Sequence, residues 1–237
     1  MRLHLLEHDP NDMSHTNMTI WAERRGYQIT HTYVCNDEAL PAVDDFDWLM
    51  VMGGSPHAWE EDRHPWIVAE KAFIAGVIES GKPILGICFG AQLLAESLGG
   101  RVFSNDQEEI GWYDVTLTSE GRRSFLFQDI PERFLTFHWH SDHFSLAPGC
   151  TRLAESEPTA NQAYVCEGYP IVGVQFHPEY TREMVTHFAH EEGHGWKKSR
   201  FVNGKDAVLA KTDTIPDTYW LMATILNNME REFNGHT

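Results

Sequence analysis

The fold prediction rests on residues 83–92, PILGICFGAQ. The apolar start is typical of a buried strand, and the next segment predicts a helix that ends at the glycine pair 99–100. A reactive side chain on a tight strand-to-helix turn needs small residues two before and two after it, and Gly86 and Gly90 meet this need around Cys88. A helix N-terminus also favours the thiolate, so Cys88 is predicted to be a nucleophile. The alternative is a small, buried structural cysteine.

Strand-like and helix-like segments alternate through the first hundred residues. Strands are predicted at 3–7, 27–34, 48–52 and 83–87, and helices at 18–25 and 65–80. This alternation predicts an α/β fold with three layers, α/β/α, around a mostly parallel central sheet. Short β-like segments after residue 101 predict a small antiparallel extension, and helices at 181–191 and 217–233 close the chain.

The length of 237 residues and a hydrophobic content of 42% fit one large domain with a full core. We predict a single domain over residues 1–237, in which residues 192–237 form a C-terminal helical extension. An apolar stripe in the last helix is expected to pack into the core. Its aromatic neighbours Tyr219 and Trp220 leave a homodimer open as the alternative.

Charge and cysteine spacing narrow the class of protein. The net charge of −17 would repel a phosphate backbone, so no nucleic-acid partner is expected. The chain contains no run of about 18 apolar residues and starts without a signal-peptide pattern, which predicts a cytosolic protein with no membrane contact. The four cysteines are widely spaced. Their spacing indicates neither a zinc site nor a disulfide framework, and reduced thiols are expected.

A thiolate nucleophile needs a base and a third group that orients the base. His177 and Glu179 follow a strand-like segment two residues apart, so extended backbone would point both side chains the same way. An oxyanion would need two backbone N–H groups. The Gly53-Gly54 pair after the strand at 48–52 and the amide of Phe89 are candidates, although a Gly-Gly pair after a strand is also an ordinary tight turn.

Three ordered motifs resemble those of the class I glutamine amidotransferases that use a Cys-His-Glu triad. The motifs are MGGSP at 52–56, GICFGAQ at 86–92 and GVQFHPE at 173–179, and the resemblance covers about residues 1–190. It implies a flavodoxin-like fold, with Cys88 as nucleophile, His177 as general acid and base, and Glu179 as the group that orients His177. It also implies an oxyanion hole formed by Gly54 and Phe89.

The resemblance also implies a glutamine pocket. Gln92 would help to hold the substrate, and Gly53 and Ser55 would lie beside it. Less firmly, Trp139, Ser141 and Asp142 fall where related domains line the amino-acid end of glutamine, and the Asp142 carboxylate would pair with the α-ammonium. The segment EEIGW at 108–112 resembles a pocket edge. Ala91 stands where many members have histidine, and Ser141 where glycine is frequent, so substrate preference stays open.

His138, His140 and His143 raise the question of a metal site. An acid–base thiol mechanism needs no metal, and strand alternation puts only two of the three on one face. We therefore predict no metal and no cofactor.

The expected reaction is hydrolysis of the γ-carboxamide of glutamine, or of a γ-glutamyl amide, through a cysteinyl thioester. The chain resembles stand-alone proteins similar to the amidotransferase part of GMP synthetase, and it carries no nucleotide-binding loop motif of a synthetase. Three alternatives stay open: an amidotransferase that works with a synthetase subunit in trans, a γ-glutamyl hydrolase or peptidase acting on small molecules, and a non-catalytic binding or regulatory module.

Overall fold

The computed structural model describes residues 1–8, 15–193, 195–196 and 199–235. Its nine-stranded sheet has the order β2-β1-β3-β4-β9-β8-β7-β5-β6. The strands are β1 Arg2–Glu7, β2 Gln28–Tyr33, β3 Trp48–Val51, β4 Ile84–Ile87, β5 Arg101–Leu117, β6 Arg133–Ser145, β7 Cys150–Glu155, β8 Ala163–Cys166 and β9 Ile171–Val174. The helices are α1 Asn17–Arg24, α2 Trp66–Ser80, α3 Phe89–Ser97, α4 Arg182–Glu191, α5 Lys205–Leu209 and α6 Ile215–Asn234.

Five parallel strands form one half of the sheet. Their order, β2-β1-β3-β4-β9, follows the flavodoxin-like pattern of a doubly wound sheet. In such a sheet ligands bind beyond the carboxyl ends of the strands, close to the point where the strand order reverses. The predicted α/β fold is confirmed.

Apolar residues on the two faces of the parallel strands build two cores. Alternate residues of β1 and β3 point to opposite sides, as the period of a strand requires. Leu5 and Met50 pack with α1 and α6, whereas Leu6 and Val51 pack with α2 and α3. The helices therefore cover both faces, which gives the predicted three layers.

The antiparallel extension contains four strands, β8, β7, β5 and β6. The 17-residue β5 pairs with the 13-residue β6, and both strands are longer than the short segments that were predicted. The polar stretch of β5 from Ser104 to Glu108 is largely exposed and lacks apolar alternation, so its sequence did not identify it as a strand. The pairing register shifts between Ser104 and Glu109.

The C-terminal helix α6 packs against the sheet and α1. Its stripe of Leu221, Met222, Ile225, Leu226 and Met229 is fully buried in the same core as α1, as predicted. Trp220 is 46% exposed, and homodimer formation stays a prediction. None of the helices in the described part of the chain is long and apolar enough to cross a membrane.

The cysteine prediction was wrong for two of the four residues. Cys150 on β7 and Cys166 on β8 are direct register partners and form a disulfide, while Cys35 and Cys88 are free. The two cysteines are 16 residues apart. Only the strand pairing brings them together, so their spacing gave no disulfide signal.

Candidate active site

Four parallel strands end at one cavity. Cys88 follows β4, Gly53 follows β3, His177 follows β9, and Glu7 ends β1. The cavity measures about 310 Å³, near the lower end for ligand pockets, and so suits a small substrate. Its lining includes most of the predicted site residues: Gly53, Gly54, Ser55, Cys88, Gln92, Trp139, Ser141, Asp142, His177 and Glu179. Phe89 lies behind the lining as the first residue of α3.

The turn around Cys88 has the strained geometry of a nucleophile elbow. Cys88 adopts a φ of 51°, which side chains other than glycine rarely adopt, directly before α3. A Cβ on Gly86 would lie 2.6 Å from the backbone of Gly90, and a Cβ on Gly90 would lie 2.0 Å from the Val51 carbonyl oxygen. Both glycines are therefore required by the close approach of backbone, as the sequence predicts.

Two glutamines support the sulfur of Cys88. The Gln175 amide Nε2 donates to Cys88 Sγ at 3.3 Å, and Gln92 Nε2 donates to Gln175 Oε1 at 3.2 Å. Both glutamines are almost completely buried. A donor aimed at the sulfur stabilises the thiolate. Gln92 lines the cavity, and its hydrogen bond also positions Gln175. The sequence predicted neither this role of Gln92 nor the contact of Gln175 with Cys88.

His177 and Glu179 form the predicted pair. His177 Nδ1 lies 2.7 Å from Glu179 Oε1, both side chains are buried, and His177 Nε2 has no hydrogen-bond partner. Burial alone would lower the pKa of His177, but the charges of Glu179 and Cys88 outweigh it and raise the pKa to about 10. The imidazolium form therefore persists at neutral pH beside Cys88.

The strand-to-loop segment that carries this pair is anchored by Asn17. Its side-chain Nδ2 donates to the carbonyl oxygens of Pro178 and Tyr180 at 2.9 and 3.0 Å, and its backbone N–H donates to the carbonyl of Glu179 at 2.8 Å. The ring of Tyr180 stacks on His177 with centroids 4.4 Å apart. Asn17 and Pro178 are 161 residues apart in the sequence, and no sequence pattern identified Asn17.

The Gly53-Gly54 loop rests on a buried ion pair. His8 Nε2 lies 2.9 Å from Glu70 Oε1, and His8 Nδ1 lies 3.0 Å from the Gly53 carbonyl. Burial lowers the pKa of His8, but Glu70 and the Gly53 carbonyl raise it to a net value above its usual range. A Cβ on Gly54 would lie 2.8 Å from His8 Cβ. These contacts fix the loop backbone. The amide of Phe89, the first residue of α3, has no hydrogen-bond partner within the helix.

The far wall of the cavity carries a further carboxylate. Asp142 is buried, its Oδ2 lies 2.5 Å from His57 Nδ1, and its Oδ1 has no partner. Trp139 presents its carbonyl to Cys88 Sγ at 3.8 Å. Ser141 also lines this wall, and the exposed Ser55 lies at the rim. His57 gave no signal in the sequence because its partner is 85 residues away.

A second buried group lies in this wall, on the two long strands. Glu109 of β5 and His138 and His140 of β6 are buried together, and they are the only group of three such side chains in the described residues close enough to share a metal ion. Burial lowers the pKa of His138 to about 4 although Glu109 opposes this shift. His143, the third histidine considered from sequence, lies outside the group.

Comparison with known proteins identifies the family. The family model "Glutamine amidotransferase class-I" matches residues 14–191. The chain therefore belongs to the class I glutamine amidotransferases, and the resemblance seen in its three motifs is confirmed.

Two of the relatives differ in how much of their own length the match covers. The chain is 37% identical over 190 residues to a glutamine amidotransferase-like protein of Salmonella typhimurium, YfeJ, and the match covers 78% of each chain. It is 33% identical over 133 residues to a glutamine-hydrolysing GMP synthase of Vibrio vulnificus, a match that covers 56% of this chain and only 24% of that protein.

Solved structures support the fold over the whole chain. The crystal structure of a glutamine amidotransferase from Thermotoga maritima superposes with a TM-score of 0.86 at 26% identity and covers 97% of both chains. A glutamine amidotransferase from Methylobacillus flagellatus, at 22% identity, has the same fold with a TM-score of 0.89 over 97% of this chain and 94% of that one. The flavodoxin-like class I fold is thus established.

Proposed function

We propose that the protein hydrolyses the γ-carboxamide of glutamine, or of a γ-glutamyl amide, through a thioester on Cys88. The main support is that Cys88 and the hydrogen-bonded pair of His177 and Glu179 line the same small cavity. A nucleophile, a base and a group that orients the base are the parts that this chemistry requires.

The reaction begins with attack of the Cys88 thiolate on the carbonyl carbon of the γ-carboxamide. The developing oxyanion accepts hydrogen bonds from the N–H groups of Gly54 and Phe89. Protonated His177 then gives its proton to the departing nitrogen, so ammonia leaves as the carbon–nitrogen bond breaks and the γ-glutamyl thioester remains. Neutral His177 next takes a proton from water, which attacks the thioester and releases glutamate and the thiolate. Glu179 stabilises the imidazolium in both stages.

Asp142 is proposed to recognise the amino-acid end of the substrate. Asp142 lines the cavity, its buried Oδ1 has no hydrogen-bond partner and is suited to an α-ammonium group, and His57 holds Oδ2. Trp139 and Ser141 flank this carboxylate in the cavity wall, and Gly53 and Ser55 line the opposite side. We assign Gln92 to hold Gln175 against Cys88 and, through its place in the lining, to border the substrate.

The fate of the ammonia separates the two main versions of this proposal. GMP synthases match this chain over only about a quarter of their own length, so the remainder of those proteins has no counterpart in the match. In the amidotransferase version, a synthetase subunit binds in trans, with the cavity mouth beside the interface. A γ-glutamyl hydrolase or peptidase would need no partner.

Glutamate release tests the proposal. Purified protein is incubated separately with glutamine and with γ-glutamyl dipeptides, and glutamate is quantified for the wild type, Cys88→Ala and Cys35→Ala. Cys35→Ala is the matched control because it removes the other free cysteine. The proposal expects release by the wild type and the Cys35 variant and none by Cys88→Ala.

The pattern of glutamate release separates the nucleophile assignment from the two versions of the function. Release that persists in Cys88→Ala contradicts the nucleophile. Release from γ-glutamyl dipeptides at a rate above that from glutamine favours the hydrolase version, and slow release from glutamine that rises on addition of a copurifying synthetase favours the amidotransferase version. Absence of release from every substrate, with and without such a partner, contradicts the proposal and leaves a binding or regulatory module.

A further inference from the structure

We propose that Glu109, His138 and His140 form a binding site for a divalent transition-metal ion, with Zn²⁺ as the best-suited ion. Two imidazoles and one carboxylate are a ligand set that zinc uses in proteins. The site is distinct from the proposed catalytic residues and takes no part in the proposed reaction. It also revises the expectation that the chain holds no metal, because the third ligand comes from β5 and not from His143.

Strand pairing explains why the three side chains converge. Glu109 is the direct register partner of His140 across the antiparallel pair of β5 and β6, so their side chains project from the same face. His138 lies two residues before His140 and therefore shares that face. The pairing register shifts just before this group, between Ser104 and Glu109.

The three side chains are buried, and several of their nitrogen and oxygen atoms lack hydrogen-bond partners. Glu109 and His138 are 0% exposed and His140 is 5% exposed. No hydrogen bond satisfies Glu109 Oε1, His140 Nε2 or either ring nitrogen of His138. Leaving such atoms buried and unpaired costs free energy. A cation bound by one atom of each side chain would remove part of that cost.

The distances are close to those of a metal site. Glu109 Oε2 lies 3.2 Å from His140 Nε2 and 3.7 Å from His138 Nδ1, and one donor atom from each residue lies within 4.8 Å of the others. Donors around a tetrahedral zinc ion stand about 3.3 Å apart. The contact between Glu109 and His140 is short but is misaligned for a hydrogen bond.

Surrounding hydrogen bonds prepare the ligands. His140 Nδ1 lies 3.2 Å from the carbonyl oxygen of Asp142, and because a carbonyl only accepts, Nδ1 carries a proton, which leaves Nε2 as the ring nitrogen that can bind a metal ion. Ser156 Oγ and Gln162 Nε2 donate to Glu109 Oε2 at 3.0 and 2.8 Å. Partners of this kind orient the ligands in known metal sites.

The position of the site suggests a structural task. Glu109 lines a second cavity, of about 400 Å³, and His140 lines the catalytic cavity. A bound ion would link β5 to β6 beside the register shift. Because His140 contacts the carbonyl oxygen of Asp142, the ion would also fix the backbone at Asp142. The metal would therefore rigidify the wall that is proposed to recognise the substrate.

Metal binding by the pure chain tests the proposal. The parent for the test is Cys88→Ala, because a thiolate beside His177 is itself a potential zinc ligand. The protein is stripped with a chelator, titrated separately with Zn²⁺, Co²⁺ and Mg²⁺, and examined for bound metal by elemental analysis and for Tm. Glu109→Gln and His140→Gln are compared in this background with His143→Gln, a matched control on the same strand.

We expect one equivalent of Zn²⁺ or Co²⁺ in the parent and in His143→Gln, with a raised Tm and no response to Mg²⁺. Glu109→Gln and His140→Gln should bind roughly 100-fold more weakly or not at all. The rise in Tm of the parent requires no change to the ligands, so it tests the site even if a ligand variant fails to fold. Absence of stoichiometric binding in the parent, or undiminished binding in folded ligand variants, would overturn the proposal.

Discussion

Two buried groups of histidine and carboxylate lie around one cavity and differ in almost every respect. In the pair of His177 and Glu179 the two side chains hydrogen-bond at 2.7 Å and the pKa of the imidazole rises to about 10. In the group of Glu109, His138 and His140, three ring nitrogens, namely both of His138 and Nε2 of His140, lack hydrogen-bond partners, and the pKa of His138 falls to about 4. The same residue types thus hold a proton in one place and offer lone pairs in the other.

The geometry of each pair accounts for this difference. A carboxylate that accepts a hydrogen bond directly from the ring nitrogen stabilises the imidazolium and raises the pKa of the histidine. A buried carboxylate that makes no such hydrogen bond raises the pKa by less than burial lowers it. The local His-x-Glu spacing creates the first arrangement. Pairing between β5 and β6 creates the second, so the fold decides the role of each histidine.

The largest expected effect is on the first group. His177→Gln removes the acid and base while keeping a polar side chain of similar size, and glutaminase activity should fall by about 10⁴-fold or more. His187→Gln, which changes an exposed histidine of α4, is the matched control and should retain wild-type activity. Steady-state glutamate release measures both, and activity of His177→Gln near that of the wild type would contradict the assignment.

Glu179→Gln should reduce activity by about 10²- to 10⁴-fold because the imidazolium loses its charged partner. It should also change the pH profile. The raised pKa means that His177 stays protonated through neutral pH and loses its proton as pH rises through about 10. The variant should therefore lose activity at a lower pH than the wild type. An alkaline limb of kcat that does not move between the two proteins would contradict the role given to Glu179.

Asp142 belongs to a third histidine–carboxylate pair, and its effect should appear in binding. Asp142→Asn removes the charge proposed to meet the α-ammonium, and KM for glutamine should rise by roughly 10- to 100-fold with a smaller change in kcat. Asp106→Asn removes an exposed carboxylate of β5 and serves as the charge control. A fall in kcat alone would place Asp142 in the chemistry and not in substrate binding.

A fourth pair, His8 with Glu70, should give the smallest effect. Glu70→Gln weakens the charged contact that fixes His8 under the Gly53 carbonyl, and kcat should fall by about tenfold because the oxyanion loop is less well placed. Glu79→Gln changes an exposed residue of the same helix and should behave as the wild type. If KM rises while kcat is unchanged, Glu70 does not act through the oxyanion loop.

The sequence predicted those parts of the site that are encoded locally. The glycines around Cys88 and the short spacing of His177 and Glu179 each specify a geometry within a few residues, and the alternation of strands and helices specifies the parallel sheet. The motifs and the fold class could therefore be read directly.

Parts that depend on long-range pairing could not be predicted. Asn17 meets Pro178, Glu70 meets His8 and Asp142 meets His57 only after the sheet has formed. The same holds for the group around Glu109 and for the disulfide between β7 and β8. The first half of β5 was not predicted as a strand because its polar residues show no periodicity. Register, and not residue type, sets these contacts.

Covalent labelling tests whether Cys88 is the nucleophile of a site shaped for glutamine. The wild type is treated with a glutamine analogue that carries a chloroketone in place of the carboxamide, and the adduct is located by peptide mass spectrometry. We predict one adduct per chain, on Cys88, that forms more slowly when glutamine is present and is absent in Cys88→Ala. Labelling of Cys35 in preference to Cys88 would contradict the choice of nucleophile, and labelling of Cys88 that glutamine does not slow would contradict a glutamine site.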